Sequence, residues 1–309
     1  MTDASRGAPV QDGQSRGVLK VPEMASLYLE PLGPMGLPVS GGATGFVVRD
    51  GQALFLVTNR HVVTARNSKT GDRLGGLSPS AVRVYLRSQL VGRWVGVVVE
   101  LGDEDGRPLW WEHPEHGWQV DVVAIPFPAQ GVPQELVDWS AAYTVGGPAL
   151  PRLGIASQVH VIGYPVGFDP NRTSAWLGVW TRGTLAWPPS LDWEGLPTML
   201  IDCRARQGQS GSPVVFYADE LTRFLASDGS ELVGPAWDLV GVYSGRTQLD
   251  SDVGMVWKRS AVADIIAASQ RPDGPYVNPL DAAADRTAAL FPAESEAEQH
   301  GGAALGSGS

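Results

Sequence analysis

Ser210 lies in the run Gly208-Gln209-Ser210-Gly211-Ser212-Pro213, directly ahead of the apolar Val214-Val215-Phe216. A serine hydroxyl does not attack a carbonyl unaided. It needs a base to take its proton and N–H donors for the oxyanion that forms. Flanking glycines let a tight turn expose the hydroxyl and aim two backbone N–H groups at one point. The chain supplies a base candidate in His61, which ends the apolar run Phe55-Leu56-Val57-Thr58 after the polar pair Asn59-Arg60. It supplies an orienting acid in Asp121, at the head of Val122-Val123-Ala124-Ile125. A carboxylate at the start of an apolar strand is expensive unless it has a partner, and an imidazole N–H is a suitable one. Each residue also has a plain alternative: a serine in a glycine-rich turn, an edge histidine, an aspartate that merely starts a strand. Asp103 and Asp105 are rivals for the acid but lie in a hydrophilic stretch with no apolar strand behind them.

Short β-rich runs separated by glycine and proline must position these groups. With 38 Gly, 24 Pro and only 18% charged residues, the composition reads as an all-β sandwich or barrel. Strands are expected at 26–29, 45–48, 54–58, 82–86, 94–101 and 120–125, and again at 158–163, 176–184, 198–202, 212–216, 239–243 and 254–258. Asp50-Gly51 marks a hairpin. A helix is expected from Ser260, as N-cap, with Val262, Ile265 and Ile266 on one face. Residues 218–238 read as a loop or hairpin extension, 1–24 as a flexible leader, and 271–309 as a mostly disordered tail.

The order His, Asp, Ser, with TGFVV and LVTNRHVV around the histidine and GQSGSP around the serine, resembles the chymotrypsin-like (trypsin-like) serine protease family over roughly residues 38–262. The flanks are most similar to its HtrA-type branch. Other serine hydrolases place the three residues in other orders. The resemblance implies two six-stranded antiparallel β-barrels with a short C-terminal helix: a protease domain at 25–270 with barrel 1 at about 25–128, a connector at 129–150, barrel 2 at about 151–258 and the helix at about 260–269. It implies a catalytic triad of His61, Asp121 and Ser210, with the backbone N–H groups of Gly208 and Ser210 as oxyanion hole. A substrate pocket would be lined by Arg204 and Gln207 before the serine and by Ser244, Gly245 and Arg246 on a later strand. Arg204 stands where trypsin carries the acid that selects basic side chains, which leaves small apolar and acidic preferences open. Gln209 replaces the aspartate that pairs with a freed N-terminus in digestive members, so other contacts must order the oxyanion loop, or a partner must switch it. Ser212 replaces the usual second glycine. The remaining length does not accommodate the PDZ domain that HtrA-type proteins often carry.

The expected function is a serine endopeptidase acting through an acyl-enzyme on a protein or peptide substrate, with no cofactor and no metal. The alternatives are a non-catalytic peptide-binding module on the same fold, and an esterase using the same triad. A net charge of −10 argues against a nucleic-acid partner, and no apolar run suggests a membrane partner. The single cysteine, Cys203, and a leader without an apolar segment make a cytoplasmic location the expectation, with restraint by narrow specificity, a gated oxyanion loop or an activating protein partner. Glu112, His113 and His116 match no metal-ligand spacing and read as a loop. His160, Cys203, the turn at 163–167 and Trp176, Trp180 and Trp187 read as structural.

Overall fold

The computed structural model describes residues 21–74, 77–87, 94–128, 132, 142–146, 151–167, 177–204, 206–248 and 251–272. Most of the expected leader, connector and tail, together with Trp176, lies outside them. The chain enters through α1 (Val21–Ala25), one helical turn formed by the last residues of the expected leader, whose Ala25 is fully buried. Strands β1 (Ser26–Leu32), β2 (Ala43–Asp50), β3 (Ala53–Thr58), β4 (Ala81–Arg87), β5 (Trp94–Glu100) and β6 (Val123–Phe127) make the first sheet, in the order β5-β4-β1-β2-β3-β6. Helix α2 (Arg60–Thr64) follows β3, and β7 (Tyr143–Thr144) pairs in parallel with β2. The second sheet closes into a barrel, β10-β15-β14-β11-β8-β9, from β8 (Gln158–Gly163), β9 (Val179–Leu185), β10 (Thr198–Cys203), β11 (Pro213–Ala218), β14 (Ala236–Arg246) and β15 (Val253–Lys258). Between β11 and β14 stands a small hairpin, β12 (Arg223–Leu225) and β13 (Glu231–Val233).

The protein is therefore all-β with a short C-terminal helix, as its periodicity indicates. One detail differs from two closed barrels: the first sheet curls without pairing β5 to β6. The 101–122 insertion takes the open edge instead. Trp111 exchanges both backbone hydrogen bonds with Ala124 of β6, at 2.8 and 3.2 Å. An edge strand left unpaired exposes a row of backbone donors and acceptors, and this segment covers it.

Each β-unit has its own core, and a third cluster joins them. Val47, Leu56, Val84 and Ile125 fill the first unit, and Val161, Ile201, Val214 and Tyr243 the second. Alternation along β2 sends Val47 into the first core while Phe46 and Val48 face the other way. These pack with Val57, Ile162, Val215, Val242, Trp257 and the apolar face of α3 (Arg259–Ala268): Val262, Ile265 and Ile266. That shared core fixes the two units against each other, and so fixes the residues at their seam. The helix starts one residue before Ser260, with Lys258 at the N-cap and no side-chain cap. Strand β15 runs straight into it, and Arg259 anchors the first turn through Asp238 and the Gly146 carbonyl.

Candidate active site

The base candidate is delivered by the end of β3. Thr58 and Asn59 are fully buried, and the chain turns there into α2, whose second residue is His61. The Thr58 hydroxyl donates to the Thr44 carbonyl at 2.8 Å, and the Asn59 amide donates to the Asp121 carbonyl at 2.6 Å. The preceding Arg60 is buried too, with its Nε on Glu112 at 2.7 Å. Trp110 Nε1 reaches the same carboxylate oxygen at 3.2 Å. A buried ion pair in this position ties α2 to the insertion that covers β6.

Asp121 is only 2% exposed, yet its carboxylate accepts three hydrogen bonds. The His61 backbone N–H donates to Oδ1 at 2.8 Å, the His61 Nδ1 to Oδ2 at 2.7 Å, and the Ser244 hydroxyl also to Oδ2. Three donors are what a buried carboxylate needs to remain charged. Since a carboxylate can only accept, the imidazole proton belongs on Nδ1 and the lone pair on Nε2. Burial disfavours the imidazolium, but the charge and hydrogen bond of Asp121 outweigh it and raise the His61 pKa above 6.5. Asp103 accepts from the amides of Asp105 and Arg107 within its own turn and takes no part.

Ser210 and His61 line one cleft of about 420 Å³ at the seam. Among the described residues no hydrogen bond joins the Ser210 hydroxyl to the imidazole. The serine turn is built on two glycines in the left-handed region, Gly208 at φ 87° and Gly211 at φ 81°. A Cβ on Gly208 would meet the Tyr164 carbonyl at 2.5 Å, and one on Gly211 the Thr44 carbonyl at 2.1 Å. Only glycine fits either place. The Gly208 and Ser210 amides donate to no acceptor among the described residues, whereas Gly211 and Ser212 do, at 2.9 and 3.0 Å. Both amides therefore lack an acceptor among the described residues.

Contacts from both units hold this turn. Thr44 of β2 donates its amide to the Ser210 carbonyl at 3.0 Å and its hydroxyl to the Gly208 carbonyl at 3.0 Å. The same hydroxyl accepts from the Tyr164 amide at 3.0 Å. Val166 donates to the Gln207 carbonyl at 2.6 Å. Gln209 is fully buried: its Oε1 accepts from the Arg206 amide at 2.7 Å, and its Nε2 donates to Thr181 Oγ1 at 2.9 Å. Thr44, Thr58 and Thr181 are not evident from the sequence, since a threonine among strand residues reads as ordinary β-former. The polar run Thr58-Asn59-Arg60 at the end of an apolar strand is the one signal that foreshadows them.

Of the residues expected around the substrate, Gln207 lines the cleft with Gly208 and Ser210. Ser244 has its hydroxyl on Asp121, and Gly245 follows it at φ 117°. Arg204 is 81% exposed, with its Nε 3.5 Å from Asp252, and Arg246 is exposed at the end of β14; neither lines the cleft. The turn at 163–167, expected as purely structural, contributes Val166 to the cleft wall. Among the described residues no group of three or more His, Cys, Asp and Glu side chains is placed to hold a metal ion. His113 and His116 pack ring against ring at 5.0 Å. Among the described residues no helix is long and apolar enough to cross a membrane.

Residues 43–221, more than half of the chain, match the family model of the trypsin-like peptidase domain. The chain belongs to that family. It is a serine endopeptidase by membership. Similar solved structures include two proteases. The Rv3671c protease of M. tuberculosis, in its active form, is 18% identical with a TM-score of 0.42, over 81% of this chain and 83% of that one. The protease Anisep of Arthrobacter nicotinovorans is 14% identical with a TM-score of 0.47, over 81% and 98%. Among curated proteins none matches the chain.

Proposed function

We propose that this endopeptidase cuts peptide bonds through a Ser210–His61–Asp121 triad and an acyl-enzyme. The observation that carries the reading is the buried Asp121 carboxylate holding both the backbone and the Nδ1 of His61, in a cleft shared with Ser210. With its proton fixed on Nδ1, His61 takes the Ser210 proton on Nε2 as Oγ bonds to the scissile carbonyl carbon. The carbonyl oxygen becomes an oxyanion and is met by the backbone amides of Gly208 and Ser210. The imidazolium, stabilised by Asp121, returns the proton to the departing nitrogen, and the C–N bond breaks. Water then repeats the sequence on the Ser210 ester, releasing the acid and the free serine. Ser244 donates to the same Asp121 oxygen as His61 Nδ1 and so acts as a positioning residue.

The proposal includes restraint. The absence of a hydrogen bond from the Ser210 hydroxyl to His61 suits a site that completes on binding substrate or an activating protein, since catalytic hydrogen bonds often tighten only in the complex. A cytoplasmic setting is part of the same reading, supported by the single cysteine, which leaves no pair to cross-link within the chain.

Digesting a proteome-derived peptide library with the wild type and with Ser210→Ala tests the reading, with cleavage sites read by mass spectrometry. Cleavage by the wild type alone is expected, together with labelling of Ser210 by a fluorophosphonate probe. Absence of labelling even with cell lysate added to supply an activating protein would refute the triad reading and favour a peptide-binding module.

A further inference from the structure

The lining of the cleft beside Ser210 is partly polar and partly apolar. The polar part is His61, Ser210 and Gln207, with Gly208 beside them. The apolar part includes Val39, Leu74, Leu77 and Val166, of which Leu74 and Leu77 are 57% exposed and Val166 59%. Met35 and Leu37, in the turn next to Val39, are exposed as well. A concentration of exposed apolar side chains around a concave site marks a recognition surface rather than scattered surface hydrophobics.

Acyl-transfer chemistry says which part of a substrate this cleft receives. His61 must give its proton to the departing nitrogen, so the chain beyond the cut bond leaves across the imidazole and its helix. Val62 of that helix and Ala65 at its C-cap line the cleft with His61, and Leu74 is tied to the helix end by its amide on the Ala65 carbonyl at 2.7 Å. Leu77 lies against the Gly33 turn opposite. The segment Ser244 to Arg246, which the family resemblance assigns to the acyl side, does not line this cleft. Among the described residues His61 is the one ionisable side chain of the lining, so a charged residue entering beside Leu74 and Leu77 would be desolvated without a partner among them.

We infer that Leu74, Leu77, Val39 and Val166 form an apolar subsite for the leaving side of the substrate, selecting a large aliphatic or aromatic residue in the first two positions after the scissile bond. This rests on the proposed proteolytic function. Moving such a side chain from water into the recess favours it over glycine or aspartate by roughly 10–100-fold in kcat/KM.

The test uses the full chain and internally quenched peptides built on one cleaved sequence. Each of the two positions after the bond is varied in turn among Leu, Phe, Gly, Asp and Lys. At one or both positions Leu and Phe should exceed Gly and Asp by at least about tenfold. The Leu74→Ser/Leu77→Ser double variant should shrink that ratio severalfold, whereas Leu74→Met/Leu77→Met should keep it. A ratio within one protein cancels any change in the amount of folded enzyme. Ser210-dependent cleavage that is indifferent to both positions, or a ratio unmoved by the serine variant, overturns the subsite while leaving the protease reading intact. Cleavage equal in Ser210→Ala, or none, overturns both.

Discussion

Replacing Gln209 by alanine should disable the site without unfolding the protein. Gln209 is fully buried, and its amide makes two hydrogen bonds, to the Arg206 N–H at 2.7 Å and to Thr181 Oγ1 at 2.9 Å. Each is worth about 0.5–1.5 kcal/mol net, so alanine removes about 1–3 kcal/mol, and the emptied space adds to that. The loss falls on the turn that presents the Gly208 and Ser210 amides, and not on a strand of the closed barrel. Surface turns open at the low end of the local stability range, so a loss of this size shifts the turn between ordered and open states. The competent fraction, and with it the rate, should fall by about tenfold or more. The assay is the second-order rate constant for fluorophosphonate labelling of Ser210, followed beside the thermal melt. Thr181→Val should act in the same direction and more weakly. The double variant should fall short of the sum, because both changes break one contact. If Gln209→Ala is folded and labels at the wild-type rate, the bonds from Thr44 and Val166 hold the turn alone and the reasoning fails.

Asp121→Asn should lower kcat by about 10³–10⁴-fold, because the His61 tautomer is no longer fixed; it is read from initial rates on a cleaved peptide. In the wild type kcat/KM should rise with pH through an apparent pKa above 6.5, since neutral His61 is the base and its pKa is raised. The stability share of that shift runs the other way: it is present below the unfolded pKa and lost as pH rises through the folded one. A midpoint at or below 6.5 in free enzyme would contradict the Asp121 contact. Glu112→Ala should destabilise the fold by about 3–5 kcal/mol in urea titration, because it breaks the buried ion pair with Arg60 and removes the carboxylate that Trp110 Nε1 donates to, whereas Arg60→Leu/Glu112→Leu should recover most of the loss. Cys203 should resist iodoacetamide at pH 8 until the protein is denatured, its thiol being pushed up to about 11 by burial and by the charges of Asp202 and Asp252. Alkylation in the native state at the rate of a free thiol would refute that.

Alternation and glycine placement were enough to read the strands that carry the site. In β2, β3 and β11 apolar runs end in polar or glycine-rich turns, and the expected boundaries lie within a few residues of those formed. Ser210, His61 and Asp121 stood out as candidates for a local reason: each lies near the end or start of an apolar strand, where a polar residue has to have a purpose. The contact of His61 with Asp121 and the cleft that His61 shares with Ser210 were tertiary events, made by the core in which Phe46, Val48, Ile162, Val242 and α3 lock the two units together. The three hydrogen bonds on Asp121, the Thr44 clamp and the Gln209–Thr181 bond each join residues 28 to 166 positions apart, and no local pattern encodes such pairs. The same holds for the apolar wall of the cleft. Leu74, Leu77 and Val166 sit in irregular segments without periodicity, so their exposure beside the serine is set by where those segments fold back. Sequence determined which groups stand at strand ends, because propensity and periodicity are local; which of them touch was decided only by packing, because burial joins residues that the chain keeps far apart.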